Sequence, residues 1–219
     1  YIGNVPVTDM GQVPGQAPEQ TQDVLASPAT LSPWVDCPIS PRSSGSILKP
    51  FLYASMIDSG ELSPSRLIPD IPTRIGSYSP ENNSKSYAGA VRADEALARS
   101  LNVPFVRLLR SYGVERFASS LKRLGFSTLT RAPADYGLTL ILGGAEVTLL
   151  DAASAYAVLA RTAKGEDGRA VDGVAAAPAP FSAGAAWLTL QALVEVARPG
   201  DEASWQEYAS SRRIAWKTG

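Results

Sequence analysis

The sequence predicts an α+β fold, and three observations carry the prediction. Segments with helical hydrophobic spacing fill the middle of the chain, short alternating apolar stretches stand at its two ends, and no internal repeat links them. The sheet such a chain builds has its first and last visible strands far apart in sequence. Composition agrees with a folded domain: of 219 residues, 45% are hydrophobic and 19% charged, enough for one sizeable buried core.

"YIGNV" opens the chain as a short apolar strand, and residues 10–41, rich in Pro, Gln, Ser and Gly without a sustained period, read as a long surface loop. From Ile47 to about Ser59 the apolar residues fit a buried helix, with Ser46 as its N-cap, Gly60 as its C′ residue and a slight kink at Pro50. "LIPDIPTRIGSYSPENNSKSYAGA" is turn-rich and reads as irregular. "VRADEALARS" resumes helical spacing, and Pro104 limits how far that helix continues.

"GVERFASSLKRLGF" places Val114, Phe117, Ala118, Leu121 and Leu124 on one face, and Gly125 ends the segment. Thr148 and Asp151 form a capping-box pattern for a helix through Ala160. "GAAWLTLQALVEV" gives a further helix, and "RRIAWKTG" alternates as a terminal strand.

Composition also excludes function classes. Lys plus Arg total 20 against 21 for Asp plus Glu, with no basic stripe, which argues against a nucleic-acid partner. Cys37 is the single cysteine and there is no histidine, which removes an internal disulfide, a Ser-His-Asp triad and histidine-ligated zinc. Any hydrolase or transferase here takes its base from elsewhere. The most apolar stretch is interrupted by Gly143, Gly144, Glu146 and Asp151, so it does not read as membrane-spanning, and no signal peptide precedes Tyr1.

"SGSILKPF" sets Ser46 and Lys49 three residues apart, on one helical face, where a lysine can serve a serine as base. Alone the spacing says little, because "SSLK" at Ser119 to Lys122 repeats it; there the pair falls opposite the apolar face and reads as a solvated surface pair. Lys49 differs in having apolar neighbours. An unperturbed lysine is neutral in about one molecule in 2,500 at pH 7. Burial would favour the neutral form, and a fall to about 8 would leave about a tenth of the sites competent. "SLN" at Ser100 to Asn102 and "KTG" at Lys217 to Gly219 each occur once, and in this order the three patterns make the signature of active-site serine penicillin-recognising enzymes.

With their flanks, "PRSSGSILKPFLYA", "EALARSLNVPFVRLL" and "RRIAWKTG" resemble the transpeptidase domain of class A, bifunctional penicillin-binding proteins, over essentially residues 1–219; "IPTRIGSYSPEN" is similar to the 1C type. Leu101 stands where class A β-lactamases carry aspartate in the second motif. The resemblance implies a central antiparallel sheet with a helical subdomain, and further strands after Gly219 that carry the other half of the oxyanion hole. It implies that Ser46 attacks a stem peptide ending in D-Ala-D-Ala or a β-lactam, with Lys49 as base. Ser100 would bridge Lys49 and Lys217, Asn102 would bond the substrate amide, and Lys217, Thr218 and Gly219 would bind the terminal carboxylate and backbone.

No cofactor and no metal are implied. Cell-wall assembly proteins are further partners the family suggests, and the location is the periplasmic face of the bacterial inner membrane, through an anchor and a glycosyltransferase segment outside these residues. Two other readings stand beside this one. The first is a serine β-lactamase or β-lactam sensor, for which Glu146 and Glu166 are available; the second is a non-catalytic scaffold of the same fold.

Overall fold

The computed structural model describes residues 36–166, 178–196 and 214–219. The strand expected over "YIGNV" and the expected loop as far as residue 35 lie outside the described residues. Residues 36–41, the end of that loop, close a turn in which Ser40 donates through both N–H and Oγ to the Asp36 carbonyl.

The core is built around α1 (Lys49–Asp58), which is buried from Lys49 through Met56. A helix apolar on nearly every side belongs inside a protein, and α1 lies against α3 (Asn102–Tyr112), α4 (Val114–Arg123) and α7 (Ala183–Val194). Phe51 meets Phe126 and Tyr156 edge-on at centroid distances of 5.7 and 5.0 Å. Pro50 is the second residue of the helix, where no intrahelical N–H is required, so it sits inside the first turn. Gly60 ends the helix at φ +75°, and the Glu61 and Leu62 amides return to the Met56 carbonyl.

Two segments fold otherwise than their sequence suggests. Within the stretch read as irregular, β2 (Leu67–Asp70) pairs antiparallel with β3 (Gly89–Arg92), in the register Leu67 to Arg92 and Asp70 to Gly89. Val91 and Arg92, expected in a helix, therefore belong to a strand, and α2 (Ala93–Ala98) starts only after them. Pro104 does not end a helix but occupies the third position of α3, where its missing N–H costs nothing.

The junction between α2 and α3 turns at Ser100, whose φ of +55° is left-handed. The Ser100 amide donates to Leu97 O and the Leu101 amide to Ala96 O, the two crossed bonds of a Schellman ending. Serine stands there in place of the usual glycine.

The remaining helices follow their patterns. Phe117, Ala118 and Leu121 bury one face of α4, while Ser119 and Lys122 are exposed. A short helix α5 (Pro133–Tyr136) leads into a 3-10 turn over Gly137–Leu142. Thr148 caps α6 (Leu149–Ala163) by accepting the Asp151 N–H at 2.9 Å, but the Asp151 carboxylate binds the Ser127 N–H and hydroxyl rather than returning to Thr148. Ser182 caps α7.

Strand β1 (Arg42–Ser43) pairs antiparallel with β4 (Glu146–Val147). The α+β class stands, with helices and antiparallel pairs, but among the described residues the strands form two separate two-stranded sheets rather than one central sheet. Nor do residues 214–219 form the expected terminal strand: the Trp216 amide, which a ladder would need, donates to Leu193 O at the end of α7. Among the described residues no helix is long and apolar enough to cross a membrane.

Candidate active site

The turn before α1 is fixed from three sides. The Ser44 amide donates to Ala145 O at 2.9 Å, the Tyr156 hydroxyl donates to Ile47 O at 2.9 Å, and successive i to i+3 bonds (Ile47 to Ser44, Lys49 to Ser46) carry the chain into the helix. The helix begins at Lys49 with Leu48 as a cap residue that has no side-chain bond, so Ser46 is not its N-cap. The tight turn inserts two residues between Ser46 and the helix, too far for its hydroxyl to accept from the first-turn amides. The consequence is chemical: the half-buried Ser46 hydroxyl is not committed to the backbone, and its amide donates to no described acceptor.

Gly45 has φ +50°, and a Cβ there would lie 2.6 Å from the Gly219 carbonyl carbon; a Cβ on Gly219 would in turn strike Ile47. The two glycines let "KTG" lie directly against the Ser46 turn.

Lys49 is fully buried. Its Nζ donates to Ser100 O at 2.8 Å and Asn102 Oδ1 at 2.8 Å, stands 3.5 Å from Ser100 Oγ, and lies 5.6 Å from the centre of the Phe105 ring. Lys217 Nζ donates to Ser100 Oγ at 2.8 Å and to the Thr218 carbonyl. Ser100 is thus held between the Nζ atoms of two lysines. Burial first, and the charge of Lys217 second, lower the pKa of Lys49 to about 7; burial lowers that of Lys217 to about 8. At about 7, about half of the Lys49 side chains are neutral at pH 7, well above the tenth expected from sequence.

Lys49, Ser100, Asn102 and Lys217 are therefore joined in one hydrogen-bonded group. Ser46 is tied to it through the chain, its carbonyl accepting the Lys49 amide; its hydroxyl makes no hydrogen bond to Lys49, Ser100 or Lys217. Asn102 has its Nδ2 turned to Glu81 O at 2.9 Å, which leaves one N–H and one lone pair for a ligand. Thr218 and Gly219 are exposed beside the Ser46 turn. The decoy pair Ser119 and Lys122 lies in solvent on α4.

The sequence from residue 7 to residue 219 matches the family model described as the penicillin binding protein transpeptidase domain. The chain belongs to this transpeptidase family. It is 39% identical over 186 residues to penicillin-binding protein 1C of Escherichia coli K12, covering 84% of this chain and 24% of that protein. It is 36% identical over 125 residues to penicillin-binding protein 1A of the same organism, covering 54% of the chain and 14% of the relative. The transpeptidase chain thus spans about a quarter or less of the length of these relatives.

Among solved structures, penicillin-binding protein 1A of Haemophilus influenzae superposes with a TM-score of 0.61 at 22% identity, over 76% of this chain and 31% of that one. The transpeptidase domain of Burkholderia pseudomallei penicillin-binding protein 3 gives 0.61 at 16% identity, over 74% and 56%. These last two establish the shared fold.

Several residues that shape the candidate site lie outside the three motifs: Gly45, Tyr156 and Phe105. Gly45 had a signal, a glycine between two serines ahead of a helix. Tyr156 and Phe105 had none, because each looks like an ordinary core aromatic at helical spacing.

Proposed function

We propose that the chain carries the peptidoglycan DD-transpeptidase site of its protein and is acylated on Ser46 by β-lactams. The observation that supports this most is the buried Lys49, near half-neutral at pH 7 and linked through Ser100 to Lys217, one turn from a serine whose hydroxyl is uncommitted. A lysine brought to this range can take a serine proton without histidine.

In the proposed reaction Lys49 takes the Ser46 proton as Oγ attacks the penultimate carbonyl of a stem peptide ending in D-Ala-D-Ala. The Ser46 N–H donates to the developing oxyanion. Collapse breaks the peptide bond, and Ser100, between Lys49 and Lys217, passes a proton to the leaving D-alanine amine. Asn102 bonds the substrate amide, Lys217 and Thr218 bind the terminal carboxylate, and Gly219 lets the substrate backbone lie close. An amine of a neighbouring stem peptide then displaces Ser46 to form the cross-link, and water in its place gives carboxypeptidase activity. The full-length protein would add an anchor that holds this domain at the periplasmic face, a glycosyltransferase domain, and contacts with cell-wall assembly proteins.

Deacylation by a β-lactamase route has less support. Glu166 pairs with Arg161 at 3.7 Å near the end of α6, and no described glutamate carboxylate bonds to Ser46 or Lys49. The test is intact-mass and peptide mass spectrometry of the full-length protein with benzylpenicillin. One persistent penicilloyl adduct on Ser46, absent in Ser46→Ala and present in Ser119→Ala, is expected. A folded protein without the adduct, or adduct turnover within minutes, would overturn the proposal.

A further inference from the structure

Helix α3 carries Asn102 as its first residue, and the residue before it, Leu101, has no side chain that can cap the helix. The cap comes from 20 residues upstream instead. Asn82, 2% exposed, accepts the Asn102 N–H at 2.9 Å and the Val103 N–H at 3.2 Å on its Oδ1. Its Nδ2 donates to Asp70 Oδ1 at 2.7 Å and to Ser86 O at 3.0 Å. Every hydrogen-bonding direction of this amide is therefore set by a partner that can play only one role: two N–H donors on one side, a carboxylate and a carbonyl on the other.

Asp70 is itself buried, 1% exposed, and divides its carboxylate between Asn82 and the Ala88 N–H at 2.9 Å. A carboxylate taken from water for two hydrogen bonds is costly to retain unless it does something for its partner. Here it faces the Asn82 amide, polarises it, and strengthens the Oδ1 that receives the helix. The neighbouring Glu81 carbonyl takes the Asn102 side-chain Nδ2 at 2.9 Å, so residues 81 and 82 grip Asn102 by its side chain and its backbone together. The Asn102 Oδ1 accepts from Lys49 Nζ at 2.8 Å.

We propose that Asn82, oriented by Asp70, is a positioning residue of the site: it sets the start of α3 and thereby the Asn102 oxygen against which the Lys49 amine is aligned toward Ser46. This rests on the transpeptidase reading above. It assigns Asn82 no contact with substrate, so its removal should slow the acylation step more than it weakens the preceding noncovalent complex.

The two residues also suggest their own control. Asn82→Asp alone would set two carboxylates at hydrogen-bond distance. The exchange Asp70→Asn with Asn82→Asp would restore the pairing: Asn at 70 accepts from Ala88 and donates to position 82, and a carboxylate at 82 still accepts the Asn102 and Val103 N–H groups. The bond to Ser86 O is lost and that carbonyl, in an exposed segment, must rotate away from the new carboxylate oxygen; net charge is unchanged.

The experiment measures acylation of the full-length protein by a fluorescent penicillin, resolving the noncovalent dissociation constant from the acylation rate constant, with circular dichroism and a melting curve for each variant. For wild type, absence of acylation would count against the transpeptidase reading itself. Given wild-type acylation, Asn82→Ala and Asn82→Asp are expected to lower the acylation rate constant by about tenfold or more with the dissociation constant within about threefold. The exchange variant is expected to recover part of that loss, above either single Asn82 variant. Folded single variants with wild-type rate constants would overturn the inference, as would loss confined to the dissociation constant. If the single variants do not fold, the exchange decides: recovered folding and acylation support the inference, while an exchange variant that stays unfolded, or folds but acylates slowly, overturns it.

Discussion

Replacing Lys49 with methionine isolates what it costs to bury this lysine. Its pKa stands at about 7 in the fold against 10.5 in an unfolded chain, because burial and Lys217 disfavour the ammonium. Between those values the unfolded chain holds a proton that the native protein has released, so the lysine's contribution makes stability rise with pH over this window. Below about pH 6 both states are charged and the full penalty applies, about 5 kcal/mol relative to a neutral side chain. At pH 9 the native amine is already neutral, and about 2 kcal/mol remains.

Methionine removes this titration but leaves Ser100 O and Asn102 Oδ1 without their donor, at about 1–3 kcal/mol each. The absolute change at one pH is thus a balance of opposed effects, whereas its pH dependence is not. Relative to wild type, Lys49→Met should lose about 2–3 kcal/mol of its advantage between pH 6 and pH 9. Lys217 titrates in both proteins and largely cancels. Urea unfolding of the two proteins at both pH values measures the difference. Parallel stability curves, or a gap that moves in favour of methionine as pH rises, would refute a buried, depressed Lys49.

Ser100→Gly and Ser100→Ala both remove the acceptor of the Lys217 ammonium, so each should lower Ser46 acylation by about a hundredfold. Only glycine relieves the left-handed backbone, so Ser100→Gly should be the more stable by about 1 kcal/mol in thermal unfolding, and equal stabilities would contradict the φ of +55°. Gly45→Ala should push the Gly219 backbone away from the Ser46 turn and weaken noncovalent penicillin binding by about tenfold, measured by competition. Unchanged binding would mean that the two glycines do not need to touch.

Local pattern and tertiary contact divide what was legible in the sequence. The buried face of α4, the Thr148 cap of α6 and the Gly60 ending of α1 depend on residues within a turn or two of each other, and each was readable. Helix α3 was not, because a proline three residues into a helix looks the same in sequence as a proline that stops one. The β2–β3 pair was hidden for another reason: its partners lie about 20 residues apart, with Pro69 in one strand, and nothing local sets their register. Serine before an apolar helix ordinarily caps it, but here Leu48 holds that position and Ser46 lies two residues ahead of it. The company of Lys49, by contrast, could be anticipated from its apolar neighbours and from the order of three short motifs. What could not be anticipated was the conformation that delivers Ser100 to both lysines, since no sequence rule puts a serine in the left-handed region.

The two Ser-x-x-Lys pairs of this chain make the physical point. Ser119 and Lys122 occupy relaxed helix on a solvated face, and nothing around them is under tension. Around Lys49 several unfavourable features share one small volume: a buried amine, a second lysine with lowered pKa, a left-handed serine between them, a glycine contact that admits no Cβ, and the buried Ser44 hydroxyl with no hydrogen-bond partner. The buried amine, the left-handed serine and the unpartnered hydroxyl each oppose folding, and each is local. Relaxing one should stabilise the fold only where a neighbouring polar group is not left unpaired, which is why Ser100→Gly, a change that relieves backbone while leaving Lys217 partly exposed to water, should gain stability as it loses function. The spacing of a motif allows a lysine to reach a serine; burial, a second lysine and a left-handed serine are what set Ser46 and Lys49 apart from their solvated copy.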